Sequence, residues 1–267
     1  MVHEIAVSLL AGDRAMSVPD FFRDAKESGY DGVELWLVPK GGFTFAATDA
    51  ELAEYRELAA KYGLKIYSVA ITPPGGAMTG TGEAQADFLR WAVRGMEIAA
   101  GLGAKTVLHT TDLQPGVYYE DAYRNGIDSL RRLAPEVEKR GLRFALEFVW
   151  NGFLFSPLEM RAFLAAVDSP SIGFYFDPGN MAVFQKPEHW ARALGPFIKQ
   201  VHLKDWKGGP QKGVWTPLLQ GGIDFPAVMA ELHRAGYAGP LVSEVVRSLA
   251  PWPETAKTMR EIGRLTA

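Results

Sequence analysis

The sequence predicts a single α/β domain spanning residues 1–267 and closed as a (β/α)8 barrel. Three observations carry this. The chain has 267 residues, close to the roughly 250 usual for an eight-fold barrel. A unit recurs along it: a long amphipathic stretch ends in Gly, then comes a short apolar β-rich run, then a polar loop. The signatures of the competing open sheet are missing, since no GxGxxG follows the first apolar run and no GxxxxGK[ST] occurs anywhere.

Taken in order, the β-rich runs fall near 4–10, 32–37, 64–71, 104–110, 142–148, 171–177, 198–203 and 240–246. Eight strands therefore alternate with helical stretches, the clearest at 18–28, 50–62, 84–102, 121–140, 157–167 and 224–235. Several entries into strands are near copies: Lys61-Tyr-Gly-Leu-Lys-Ile matches Lys139-Arg-Gly-Leu-Arg-Phe, and Gly29-Tyr-Asp-Gly resembles Gly236-Tyr-Ala-Gly. Each leading Gly in these pairs reads as the residue just past a helix end, where a left-handed backbone is needed. Alternating β and α units permit either a barrel or a doubly wound sheet, and the count of eight favours the barrel.

Composition bounds the function. Hydrophobic residues make up 48% of the chain, enough for a large core, and no apolar run approaches the roughly 20 residues needed to cross a bilayer. With 28 basic and 31 acidic residues, the net charge of −3 sets up no basic field for nucleic acid or anionic lipid. Cysteine is absent, which excludes disulfides and thiolate chemistry. The opening MVHEIAVSLL has no charged start or cleavage site of a secretory signal, so the expectation is a soluble cytoplasmic protein acting on a small molecule, with a homo-oligomer (dimer or tetramer) as the expected assembly.

The chemistry concentrates at four strand ends. The fifth strand reads Arg-Phe-Ala-Leu-Glu147, the sixth Gly-Phe-Tyr-Phe-Asp177, the seventh Lys-Gln-Val-His202 and the eighth Leu-Val-Ser-Glu244. In each, an apolar run ends in a side chain able to ligate a metal, at the rim where barrel active sites lie. Three carboxylates brought together without a counter-charge would repel until one took up a proton. A divalent cation resolves that conflict. Three oxygens and one imidazole suit Mn²⁺, the expected ion, with Mg²⁺, Co²⁺ and Zn²⁺ as alternatives.

At these residues the chain resembles the xylose isomerase-like TIM-barrel superfamily of sugar phosphate isomerases and epimerases, which also includes endonuclease IV. The resemblance rests on Glu147, Asp177-Pro-Gly-Asn180, Val-His202-Leu-Lys-Asp205 and Glu244, and the strand count extends it over essentially the whole chain. In the ketose 3-epimerases of that superfamily the matching four residues hold the metal and the two glutamates act as acid and base. The resemblance thus implies Glu147 and Glu244 as a catalytic pair, working through an enediolate. The sugar pocket departs from that pattern, because Phe153, Asn180 and Gly208 stand where the ketohexose epimerases carry Glu, His and Arg. Ser68, Asn180, Trp215 and Pro217 stand at positions where endonuclease IV has further ligands, which excludes a three-metal site. His109 does match a ligand position of that enzyme, and is expected to contact substrate rather than metal.

Further substrate contacts are expected from the rim. Lys204, Asp205 and Lys207 follow His202 and Arg247 follows Glu244, placing charge where a carboxylate or phosphate could bind. Trp36, Trp150, Trp206 and Trp215 fall in or beside rim loops, with Trp150 the preferred wall for a sugar face, and Asn180 completes the set. Glu34, ending the second strand, is left between a substrate contact and no role, and His3 and His233 read as structural or surface residues. The Gly- and Pro-rich loop 72–83 is expected to act as a substrate lid. The leading function is a metal-dependent sugar isomerase or epimerase. The alternatives are a lyase on the same site, resembling inosose dehydratase or cleaving keto-glycosides, and a non-catalytic sugar-binding barrel.

Overall fold

Among the described residues, eight of the ten strands close into one parallel barrel. The computed structural model describes residues 2–12 and 16–265. Around the barrel run β1 (Ile5–Ser8), β10 (Leu241–Ser243), β7 (Ile198–Leu203), β6 (Ile172–Phe176), β5 (Arg143–Glu147), β4 (Thr106–Thr110), β3 (Lys65–Ile71) and β2 (Gly32–Leu37), which pairs back onto β1. The remaining strands, β8 (Asp205–Lys207) and β9 (Val214–Thr216), make an antiparallel hairpin on the rim in what reads in the sequence as loop. The six expected helices are α1 (Val18–Glu27), α2 (Asp49–Lys61), α3 (Gly82–Leu102), α4 (Tyr119–Lys139), α5 (Pro157–Val167) and α8 (Phe225–Arg234). Three more were not anticipated: α6 (Pro178–Ala182), α7 (Pro187–Leu194) and α9 (Trp252–Ile262). Each of these carries Pro in its first turn, where the missing N–H costs nothing but where a sequence reading sees a breaker.

Local chemistry explains the boundaries. Thr48 and Glu51 close a reciprocal capping box on α2, and the Ser17, Ser156 and Asp224 side chains cap α1, α5 and α8. Gly29, Gly63, Gly141 and Gly236 all sit at positive φ, between 62° and 88°, at the helix ends where the sequence repeats placed them. The β10 strand is shorter than expected because the Ser243 hydroxyl accepts the Val245 N–H and turns the chain out of the ladder.

The period of two along each strand sorts the interior. Outward residues such as Val33, Leu35, Val69, Val107, Phe144, Leu146, Phe174 and Val201 pack under the helices in one continuous core. Inward positions carry a small second cluster, Ala70, Leu108, Ala145 and Tyr175 with Trp36 against it, and above it the polar residues that form the site. On the closed side of the molecule, His3 gives Nδ1 to the Gly239 carbonyl at 2.8 Å and meets His233 Nε2 at 3.2 Å, a structural pair as expected.

Loop 72–83, the expected lid, is pinned to the barrel at residues 77–80. Met78 and Thr79 are fully buried, and the Asp112 carboxylate accepts the N–H of Met78 at 3.0 Å, the N–H of Thr79 at 3.2 Å and the Thr79 hydroxyl at 2.9 Å. Ser129 and Asn125 of α4 donate to the carbonyls of Met78 and Thr79. Glycine and proline here serve tight turns within a pinned segment. Asp112→Ala should therefore cost about 2–4 kcal/mol in urea unfolding, through donors left without a partner. Burial alone would raise the Asp112 carboxyl, but His109 and the Met78 and Thr79 donors hold it below its ordinary 3.8. A carboxyl depressed in the folded state stabilises above its unfolded value and loses that effect as the pH falls through the folded one. The stability gap between the native protein and Asp112→Asn should accordingly be full near pH 7 and close in acid, and a pH-independent gap would contradict it.

Candidate metal centre

Four side chains meet at the carboxyl end of the barrel. Glu147 is the last residue of β5, Asp177 directly follows β6, His202 lies in β7 and Glu244 directly follows β10. Each holds an inward position in its strand's alternation, so the same parity that buries Phe144, Leu146, Phe174 and Val201 outside brings these four together inside. One ligand atom from each lies within 4.8 Å of all the others. Glu147, Asp177 and His202 are at most 4% exposed.

The donors point into the cluster for identifiable reasons. Asp177 caps α6: its Oδ1 accepts the N–H groups of Gly179 at 2.9 Å and Asn180 at 3.2 Å. That leaves Oδ2 buried and without a hydrogen bond, 2.7 Å from the Lys204 ammonium. Asn180 donates through Nδ2 to Glu147 Oε1 at 3.2 Å and to the Phe148 carbonyl at 3.0 Å, which fixes the Glu147 carboxyl. Lys204 reaches Glu244 Oε2 at 2.6 Å. Gly179 is required by this packing, since a Cβ there would run into the Lys204 side chain.

His202 is oriented from behind. Its Nε2 lies 2.9 Å from Glu34 Oε1 and donates to that carboxylate. Burial alone would lower the cation-free imidazole, but the surrounding carboxylates hold it protonated well above its ordinary range. A bound cation would displace the Nδ1 proton and take that lone pair. Nδ1 faces Glu147 Oε1 at 3.1 Å, Glu244 Oε1 at 3.3 Å and Asp177 Oδ2 at 3.9 Å. Glu34 is wholly buried and satisfied by Tyr175 OH at 2.6 Å and Ser68 Oγ at 2.7 Å. Gln200 in turn donates to both of those hydroxyls. Glu34, which the sequence left between a substrate contact and no role, thus sits behind His202 as its buried hydrogen-bond partner. The signal was there: an acidic residue inside the apolar run Gly-Val-Glu-Leu-Trp-Leu must be paired if the strand is buried.

The donor set fits a divalent cation. The buried Glu147 and Asp177 carboxyls, the less deeply buried Glu244 carboxyl and an imidazole whose Nδ1 faces all three make a hard-to-borderline site. Without a cation the charges divide unevenly. Burial and the adjacent Glu244 charge push the Glu147 carboxyl up to about 8. Burial also acts on Glu244, but His202 and Lys204 outweigh it and hold that carboxyl below its ordinary value. A cation bound among these groups would relieve the repulsion that raises Glu147 and favour the ionised form of both carboxyls.

The other expected contacts separate into two groups. Asn180 and Lys204 join the cluster, and Trp150 stands beside it, 44% exposed, with its indole N–H on the Asn180 carbonyl at 3.0 Å and its ring stacked on Trp215 at 5.6 Å. The β8–β9 hairpin carries Trp215 over the Lys204 ammonium. Asp205 is spent on the fold, accepting the N–H groups of Trp206, Gly221 and Ile223. Arg247 pairs with Asp24 of α1 at 2.9 Å and lies over the Trp252 ring of α9, directed into the helix layer. His109 also faces that layer, between Phe88 and Phe144, because it is one residue out of phase with the inward Leu108. These three are not brought to the metal cluster.

A family model described as the xylose isomerase-like TIM barrel matches residues 22–264. A curated relative, L-ribulose-5-phosphate 3-epimerase UlaE of Escherichia coli (strain K12), is 27% identical over 146 residues, 53% of this chain. The chain spans about half the length of the curated relatives it matches, 49% for this one. Among solved structures, D-psicose 3-epimerase of Clostridium cellulolyticum H10, crystallised with D-tagatose, superposes with a TM-score of 0.81 at 14% identity, covering 99% of this chain and 98% of that one. A xylose isomerase-like TIM-barrel protein from Mycobacterium smegmatis in complex with magnesium superposes at 0.78 with 20% identity, covering 98% and 96%. At such identities the two superpositions speak for the fold.

Proposed function

Because the chain belongs to the xylose isomerase-like TIM-barrel family, we propose that it is a divalent-metal-dependent epimerase or isomerase of a small keto-sugar or sugar derivative, with Glu147 and Glu244 exchanging protons with the substrate. The observation that carries this reading is the convergence of Glu147, Asp177, His202 and Glu244 within 4.8 Å at the barrel mouth. A family barrel can serve many chemistries, so the site decides. The curated relatives named as 3-epimerases favour proton transfer over expulsion of a hydroxyl.

Glu147, Asp177, His202 and Glu244 would hold the ion, manganese being the expected one. A bound divalent cation polarises a carbonyl and its adjacent hydroxyl and offsets the negative charge that builds when the neighbouring C–H proton leaves. The protein's own groups do the rest. The ionised Glu244 takes the proton from carbon, and the electron pair of that bond moves toward the carbonyl oxygen. Glu147, held by Asn180, returns a proton to the same carbon from the opposite side, which inverts it. Isomerisation would instead have the proton returned to the neighbouring carbon along one side while the hydroxyl proton passes to the former carbonyl oxygen. Lys204 fixes Asp177 and Glu244 with a charge that does not turn over. The Trp150 and Trp215 rings shield the proton transfers from water.

The test combines elemental analysis of the purified protein with NMR in D₂O over a panel of keto-sugars, inososes and keto-glycosides. Solvent deuterium at one carbon, with no change in product mass beyond the isotope, is the expected result. Loss of water from the product would replace the proposal with β-elimination, and inertness of metal-loaded protein over the whole panel would leave a sugar-binding barrel.

A further inference from the structure

Beside the cluster lies a cavity of about 710 Å³ that Glu244 and Lys204 help to line, walled by the segments that follow β1, β2, β7 and β10. That volume falls within the roughly 300–1,000 Å³ of pockets that take drug-sized ligands. Most of the wall is apolar: Leu9, Leu10 and Met16 after β1, Phe43 after β2, and Val246 and Leu249 after β10. Its polar groups are largely committed elsewhere. Lys204 is held by Asp177 and Glu244, Asp205 by three backbone N–H groups, and the Trp36 indole N–H by Thr72. Among the described residues, the other polar side chains on this wall are Lys40, Thr216, whose hydroxyl is buried without a partner, and the Trp215 indole, so the few polar groups on offer are concentrated at the Lys40 and Trp215–Thr216 ends.

A bare ketose carries a hydroxyl on nearly every carbon. Each one pressed against this wall would give up its water without a replacement partner, whereas an apolar group there gains from being removed from water. Leu10 and Val246 strengthen the point, because at 44% and 36% exposure they present large apolar surface to solvent at the cavity's edge.

We propose that the substrate is a keto-sugar derivative bearing an apolar substituent, of aryl or alkyl type, which fills this cavity while the sugar portion lies at the glutamate pair. This rests on reading the cluster as a sugar site, and the cavity's continuity with Glu244 ties the two together. The test is isothermal titration of the magnesium-loaded protein with methyl and phenyl β-D-glucopyranoside, neither of which needs to turn over. The phenyl glycoside should bind at least about tenfold tighter, and the Leu10→Asp/Val246→Asp double variant should lose that preference while keeping the native unfolding temperature and the methyl affinity. Equal affinities, absence of phenyl-glycoside binding, or a phenyl preference that survives in the variant would overturn it. Because binding is read without catalysis, a protein that prefers the phenyl glycoside yet exchanges no deuterium with any keto-sugar would refute the epimerase reading and leave the apolar subsite standing.

Discussion

Glu147→Gln and Glu244→Gln are each expected to abolish net turnover, with kcat reduced by on the order of 10²–10⁴-fold even at saturating metal, the usual contribution of one positioned acid or base. Glutamine keeps the size of the side chain and one oxygen for the cation, but it cannot carry a transferable proton. Assaying across a metal titration separates a weakened cation from a missing base, because only the first is recovered by adding metal. The pair of variants also distinguishes the two reactions that share this site. In an epimerase, each carboxyl serves one side of the carbon, so the variant lacking one glutamate should still wash deuterium into the epimer that presents its proton to the other, without inverting it. In an isomerase that moves the proton along one side, one variant should lose both exchange and turnover and the other should keep exchange. Full activity in either variant would end the catalytic assignment.

Much of this site was legible because a barrel reduces a three-dimensional question to a count. Once eight strands are recognised, the end of each strand lies on one rim, and four strands ending in Glu147, Asp177, His202 and Glu244 point at one place. The parity of a strand was the information left unused. Leu108 faces the barrel interior, so His109 must face the helices, and the structure has it there against Phe88 and Phe144. Arg247 and Asp205 were expected as substrate contacts, and their actual partners were illegible for a different reason. Their partners, Asp24 and Trp252 for one and the backbone of residues 206–223 for the other, are set by how loops fold back, and no periodicity encodes that. The anchoring of loop 72–83 at Met78 and Thr79 was hidden in the same way, since its Gly and Pro content is equally that of a free loop and of a segment turned tightly around Asp112. The β8–β9 hairpin, too short to show alternation, was hidden in a stretch of polar and glycine residues.

The same parity makes Glu34 the most informative residue to change. It occupies an inward position on β2, beneath the rim, and its carboxylate is the group that sets the His202 tautomer. Carboxylate partners of ligating histidines typically account for about 10–100-fold in metal affinity. Glu34→Gln is therefore expected to weaken Mn²⁺ or Mg²⁺ binding by that factor in calorimetric titration, whereas His202→Ala should remove the ion outright by deleting a ligand. The mechanism predicts more than a loss. Glutamine can turn its amide N–H toward His202 Nε2, which would move the imidazole proton to Nδ1 and aim an N–H, rather than a lone pair, at Glu147, Glu244 and Asp177. The ¹⁵N shifts of the His202 ring report that change directly, and a residue that merely filled space would leave them alone. The Tyr175 and Ser68 hydroxyls can rotate their hydrogens to suit either partner while still accepting from Gln200, so the variant should stay folded with a cooperative thermal transition. An unchanged metal affinity together with an unchanged His202 tautomer would reduce Glu34 to a buried residue of the barrel, and the inward-facing lone pair of His202 would then need another cause.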